Sequence, residues 1–277
     1  MEITDFLYHN IYLISFFLAS GMVAGIAAGL FGIGGGIVMV PILYHFSEQL
    51  GIPAEHKIQI VTATSLFMIF VNGLISAYIR HKYHEVNIPV FLKWLPSLIT
   101  GAICGACLNI FIKSDFVTIV FALFCGFIAV KMFFNLHFSF LRKGIRKDRT
   151  TCSVFGFLIS GFSSLIGIGG GTLSVPALNF LGLPLKTATG TSTLFSATIA
   201  FSAGLVYAIS GMFQTNDLPY SQIGYINWLA LIFIIPASIL GSVAGAKISS
   251  KISTDLLRKL FALVLMLSAL KMIYNVW

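Results

Sequence analysis

The chain has 277 residues, of which 57% are hydrophobic and only 9% charged, and its formal net charge is +8. A soluble domain carries roughly a quarter charged residues, so this composition, with a mean hydropathy of +0.95, excludes a water-soluble globule. The basic excess does not read as a nucleic-acid partner, because the Lys and Arg residues lie between apolar runs, as the positive-inside bias requires.

Met1 to Asn10 carries Glu2 and Asp5 and no basic residue. It therefore does not read as a cleaved signal peptide, which opens with positive charge. The first apolar run covers 11–46, and residues 58–79 then pass without a charge. About 20 apolar residues suffice for a helix to cross the ~30 Å hydrocarbon layer. Similar runs follow at 94–112 and 116–137, then at 152–185, 187–212, 225–246 and 256–276. Only helices and closed barrels satisfy their backbone inside a bilayer, and the alternation of barrel strands is missing. The expectation is an all-α polytopic membrane protein, with the lipid bilayer as its surroundings. Cys104, Cys107, Cys125 and Cys152 fall in or beside these runs, which argues against a disulfide framework.

The chain repeats itself. Gly32-Ile33-Gly34-Gly35-Gly36 precedes Pro41, and Gly167-Ile168-Gly169-Gly170-Gly171 precedes Pro176 at the same spacing. Thr62-Ala63-Thr64-Ser65 corresponds to Thr189-Gly190-Thr191-Ser192. Pro96, Gly101, Gly105 and Ala106 correspond to Pro236, Gly241, Gly245 and Ala246. The reading is a first membrane repeat over 1–137, a basic cytoplasmic linker over 138–150 and a second membrane repeat over 151–277. Each repeat holds a glycine-broken segment, re-entrant or discontinuous, plus three transmembrane helices. A broken segment that crosses once makes the repeats parallel; one that dips and returns makes them inverted. Inversion leaves only Lys57, Lys113 and Lys271, of 17 basic residues, outside, so the positive-inside bias favours inverted repeats with both termini outside. Gly21, Gly25 and Gly29, like Gly101/Gly105 and Gly241/Gly245, have the small-xxx-small spacing that lets membrane helices approach. Packing within the bundle is the plain use of such faces; a homodimer is the alternative.

The glycine clusters are also the candidate site. Four glycines in five positions disfavour continuous helix, and Pro41 suits the first turn of a new one. The expected order is helix, broken backbone, then a short helix starting near Pro41, and again near Pro176. Such a start turns free N–H groups and a positive dipole end into the protein, where glycines let an anion approach. The plainer reading is that the glycines only permit tight helix crossing. Hydroxyls can donate to an oxyanion without a fixed charge, or simply bond back to their own helix. The candidate anion-binding set is Gly34, Gly35, Gly36, Pro41, Thr62, Thr64 and Ser65, with Gly169, Gly170, Gly171, Pro176, Thr189, Thr191 and Ser192.

No Asp, Glu, Lys or Arg falls in mid-span, which speaks against a carboxylate proton relay. No catalytic constellation, metal-ligand motif or cofactor motif stands out. Cys104/Cys107 and the His81/His84 loop read as packing and solvated loop. His45 reads as an interfacial histidine, and Asn179 is a weaker candidate for lining a cavity. Trp94, Trp228, Trp277, Tyr78, Tyr83, Tyr225 and Tyr274 read as an aromatic belt at span ends.

Two copies of Gly-Ile-Gly-Gly-Gly-x4-Pro, with the helix start Thr189-Gly190-Thr191-Ser192, make the chain resemble the sulfite exporter TauE/SafE family over roughly Ser15 to Tyr274. The resemblance implies a bacterial inner-membrane permease for sulfite, sulfonates or related small anions. Ala63 stands where the second half has Gly190, so two unequal half-sites are expected. The leading expectation is a secondary transporter, not an enzyme, working by alternating access between the two repeats. The alternatives are a passive anion channel with the same lining, a membrane-embedded enzyme, and an assembly factor without substrate.

Overall fold

The computed structural model describes residues 3–31, 35–47, 52–134, 149–214, 222–249 and 254–274. Within them the order of elements is α1 (Ile3–Phe31), α2 (Gly36–Phe46), α3 (Lys57–Lys82), α4 (Ile88–Phe111) and α5 (Ser114–Phe133). The same order recurs in α6 (Arg149–Ile166), α7 (Gly171–Phe180), α8 (Leu185–Gln214), α9 (Trp228–Ser249) and α10 (Thr254–Tyr274). A hairpin of β1 (Gln222–Ile223) and β2 (Ile226–Asn227), absent from the all-helical expectation, precedes α9. It buries Tyr225 at 1% exposure, against His56 at 5.5 Å between rings.

Among the described residues, five helices are long and apolar enough to cross a membrane: Ile11–Gly29, Lys57–Lys82, Ile88–Phe111, Lys186–Phe213 and Trp228–Gly245. The molecule is polytopic and helical. Its apolar residues are turned outward as well as inward: Phe111, Leu123, Leu158, Phe201, Ile232, Leu240 and Leu267 are exposed. The interior holds hydroxyls and small residues, including Ser97, Ser160, Ser163, Ser164, Ser192 and Ser238. That is the distribution a hydrocarbon solvent selects, since apolar side chains gain nothing by hiding from lipid.

Both glycine clusters break the helix, but not at the prolines. α2 starts at Gly36 and α7 at Gly171, with Pro41 and Pro176 inside them. The reason is local. Gly35 (φ 79°) and Gly170 (φ 82°) take the left-handed conformation, which a Cβ disfavours. Each then caps the new helix through its own carbonyl. Gly35 O accepts from Val38 and Met39 N–H at 3.2 and 3.1 Å, and Gly170 O from Leu173 and Ser174 N–H at 3.1 and 2.8 Å. Each proline instead removes a donor one turn later.

The principal helix pairs are α1 with α9, α4 with α6, α3 with α8 and α5 with α10. Each joins an element of the first five to one of the second five. Gly21 lies on Ile234, Gly25 on Ser238 and Gly245 on Ile26, so α1 and α9 run parallel. Gly156 on Ser97, Gly101 on Ser160 and Gly105 on Ser164 make α4 and α6 parallel too. The small-residue spacing therefore serves contacts within the chain. At one end of the bundle Lys57 Nζ lies 4.3 Å from the Tyr44 ring centroid, and His45 Nε2 lies 2.7 Å from Lys271 Nζ. α2 has thus returned to the end where α3 begins. At 1.5 Å per residue, its 11 residues reach only about half-way through the layer.

Two parts of the expected aromatic belt are interior instead. Trp94 is 1% exposed and packs on Phe195 at 5.3 Å; Tyr225 closes the hairpin. Small neighbours such as Gly156 leave room for the indole. Tyr78, Tyr83 and Tyr274 are exposed. Trp277, Gly34 and residues 138–148 of the linker lie outside the described residues.

Candidate functional site

The two breaks meet inside the protein. A Cβ on Gly36 would stand 2.9 Å from the Gly167 carbonyl oxygen, 3.1 Å from that of Ile168, and against the Ile69 side chain. Ile69 lies midway along α3, and it also packs against Gly169. The backbone of one break is thus in contact with the start of the short helix that follows the other.

The hydroxyls divide into two groups. Thr62 and Ser65 on α3 lie at the second break: Ser65 Oγ is 2.9 Å from both the Gly167 and Thr62 carbonyl oxygens. Thr62 is fully buried, its Cγ2 is 3.0 Å from the Cβ position of Gly167, and its Oγ1 has no hydrogen-bond partner. Thr64 and Thr191 serve elsewhere. Thr64 Oγ1 accepts the Asn227 N–H at 3.1 Å, and Thr191 Oγ1 accepts the Asn87 N–H at 3.0 Å. Asn87 and Asn227 in turn cap α4 and α9, accepting Val90 and Ala230 N–H at 3.1 and 3.0 Å. Each threonine therefore ties one long helix to the start of another. Ser192 Oγ donates to the Thr189 carbonyl at 2.8 Å, the back-bonding arrangement. Pro41 is buried within α2, whereas Pro176 is exposed. Asn179 is exposed and donates to the Leu183 carbonyl at 3.1 Å.

Several residues that matter here were not singled out from sequence. Asn87 and Asn227 stand at the same spacing as Pro96 and Pro236, a repeat signal present but unread. Ser163 and Ser174 flank the second glycine cluster, are 0% exposed and carry hydroxyls without partners. Asn72 bridges α3 to α9 through Ser238, with its amide nitrogen 3.1 Å from Ser238 Oγ. Gln59 and Asn109 are buried polar residues below the second break. Asn109 Nδ2 donates to the Leu165 carbonyl at 2.5 Å and Gln59 Nε2 to that of Asn109 at 3.4 Å. A small, partly open space of about 10 Å³ lies beside Leu43, Ile60, Thr64 and Asn227, with a mostly apolar lining.

The arrangement offers neutral donors and no fixed charge: backbone N–H groups at two short helix starts, plus hydroxyls on α3, α6 and α7. Such a set can hold a weakly solvated anion, and lacks the paired acid and base of hydrolytic chemistry.

Residues 17–272 match the profile of the family described as sulfite exporter TauE/SafE. The chain is similar to a "Probable membrane transporter protein" of Haemophilus influenzae, 30% identical over 92% of this chain and 96% of that protein. It is 31% identical to a protein of the same description in Methanocaldococcus jannaschii, over 93% and 94% of the two chains. It is 27% identical to the "Probable membrane transporter protein YunE" of Bacillus subtilis, over 92% and 95%. No solved structure matches the chain.

Proposed function

We propose that this chain, which belongs to the sulfite exporter TauE/SafE family, is a secondary transporter of small sulfur-containing anions in the bacterial inner membrane. Family membership makes it a membrane transporter; the substrate class, the mechanism and the membrane are our reading. The observation that carries the mechanism is the meeting of the two breaks, Gly36 against Gly167 and Ile168. Irregular backbone at membrane depth is tolerated only where protein buries it or a pathway passes.

We read the halves as inverted repeats. Exchanging α1 with α6, α3 with α8 and α4 with α9 turns the α1–α9 contact into α6–α4 and leaves α3–α8 unchanged, as a two-fold axis between them would. In this reading the hairpins α1–α2 and α6–α7 enter from opposite ends, because each returns beside the start of the next long helix, α3 or α8, and these run antiparallel, with Gly73 on Ala197 and Phe70 on Phe201. Rocking one repeat against the other opens the breaks to each side in turn.

The test is flux of sulfite, taurine and sulfoacetate into liposomes holding the purified protein. Saturable flux without single-channel currents is expected, and currents would make the protein a channel. Gly170→Ala places a Cβ at φ 82° against Ile199 and is expected to reduce flux severely while the protein still purifies as a folded species. Full flux in Gly170→Ala and Gly35→Ala together would remove the breaks from the pathway.

A further inference from the structure

The two breaks are not equivalent. A Cβ at Gly35 would meet the Ala28 side chain at 3.4 Å, and one at Gly170 would meet Ser163 Oγ and Ser174 Oγ, each at 3.7 Å. Ser163 stands where the first half has Ala28, Ser174 where it has Met39, and Thr172 where it has Ile37. Ile37 and Met39 are fully buried, so at these three positions the first half carries hydrocarbon, although the Ala24 carbonyl oxygen lies 2.7 Å from the Cβ position of Gly35. At the second, Ser163 and Ser174 are 0% exposed, and the hydroxyls of Ser163, Thr172 and Ser174 have no partner. Buried hydroxyls without partners are costly, and those of Ser163 and Ser174 converge on the left-handed glycine that starts α7. At these three aligned positions the glycines are kept in both halves but the hydroxyls in only one.

We infer that the anion's oxygens are seated at the second break, by the hydroxyls of Ser163 and Ser174 with the N–H groups at the start of α7. Thr172 and Thr62 complete the donor set. The inference rests on the transporter reading for the passage of the anion, but not for its seat. No cation stands among these donors. The hydration lost on entry grows with the square of the charge, so neutral donors favour a singly charged oxyanion over a doubly charged one.

The experiment uses the purified full chain, with methanesulfonate as the singly charged probe and sulfate as the doubly charged one. Binding is measured by tracer displacement, and flux in liposomes. Ser163→Ala/Ser174→Ala removes hydroxyls that bond to nothing, so the variant folds; Ser163→Cys supplies a second, shape-conserving change. The double variant is expected to raise the half-saturation concentration for methanesulfonate at least about tenfold. Ser160→Ala, whose hydroxyl lies 3.2 Å from both the Phe157 carbonyl of its own helix and the Ser97 carbonyl of α4, leaves it unchanged. Sulfate competes weakly. Unchanged half-saturation in both serine variants overturns the inference and leaves the transporter reading standing. Methanesulfonate binding that depends on the serines, without flux, keeps the seat and overturns the transporter reading. Binding of neither anion overturns both.

Discussion

Gly25 and Gly105 sit where two backbones touch. A Cβ on Gly25 would collide with the Ser238 carbonyl, and one on Gly105 with the Gly161 carbonyl. Relief requires α9 to leave α1, or α6 to leave α4. Gly25→Ala and Gly105→Ala are each expected to lower stability by roughly 1–3 kcal/mol, the usual range for overpacking. Gly126 and Gly204, also helical, have nothing within 4 Å of the added atom. Replacing either with alanine should be neutral or stabilising, by up to about 1 kcal/mol, through backbone entropy alone. Thermal unfolding in detergent separates the two classes; equal effects across all four would mean that these contacts do not hold the helices together. The glycine motifs were legible as sequence because glycine spacing is itself a covalent fact. Which glycine contacts which carbonyl was not, because the partner lies on another helix.

At the scale of elements, α4 and α9 start alike. Each has an Asn cap whose own N–H is held by a threonine from a neighbouring helix, Asn87 by Thr191 and Asn227 by Thr64. A cap and a long-range tie are thus combined in one residue. Asn87→Ala and Asn227→Ala remove the side-chain acceptor for Val90 and Ala230 and should each cost about 1 kcal/mol. Thr64→Val and Thr191→Val should cost more, roughly 1–3 kcal/mol, because they leave a backbone donor without an acceptor. Chemical unfolding of the four variants checks the ranking; valine variants as stable as the parent would show that water reaches these caps. From sequence the threonines looked like anion ligands, since a hydroxyl's chemistry is the same whether it faces a substrate or an asparagine. The short helices show a similar limit. The prolines drew the expected starts to 41 and 176, but the left-handed glycines at 35 and 170 open α2 and α7 five residues earlier, since each supplies a capping carbonyl at once.

At the scale of the molecule, the inverted-repeat proposal has the two hairpins enter from opposite ends of the bundle. With inverted repeats, both termini are expected outside and the 138–150 linker in the cytoplasm. A phosphatase fused after Trp277 should be active and a fluorescent protein placed there dark, with the reverse for insertions at Gly144. A fluorescent C-terminal fusion on the cytoplasmic side would contradict inverted repeats with both termini outside.

The sequence by itself determined that the chain is a polytopic helical protein, where its spans run and where two of them break. Those properties depend on composition and on residues near one another in the chain. Only the tertiary structure decided that the broken segments meet, that Thr62 and Ser65 lie at the second break while Thr64 and Thr191 hold helix starts, and that Ser163 and Ser174 are left without partners. The physical reason is that a hydrogen bond or a close approach is settled by the helix packed alongside. Three of the four principal helix pairs join residues more than a hundred positions apart, and in the other, α4 with α6, Ser97 meets Ser160.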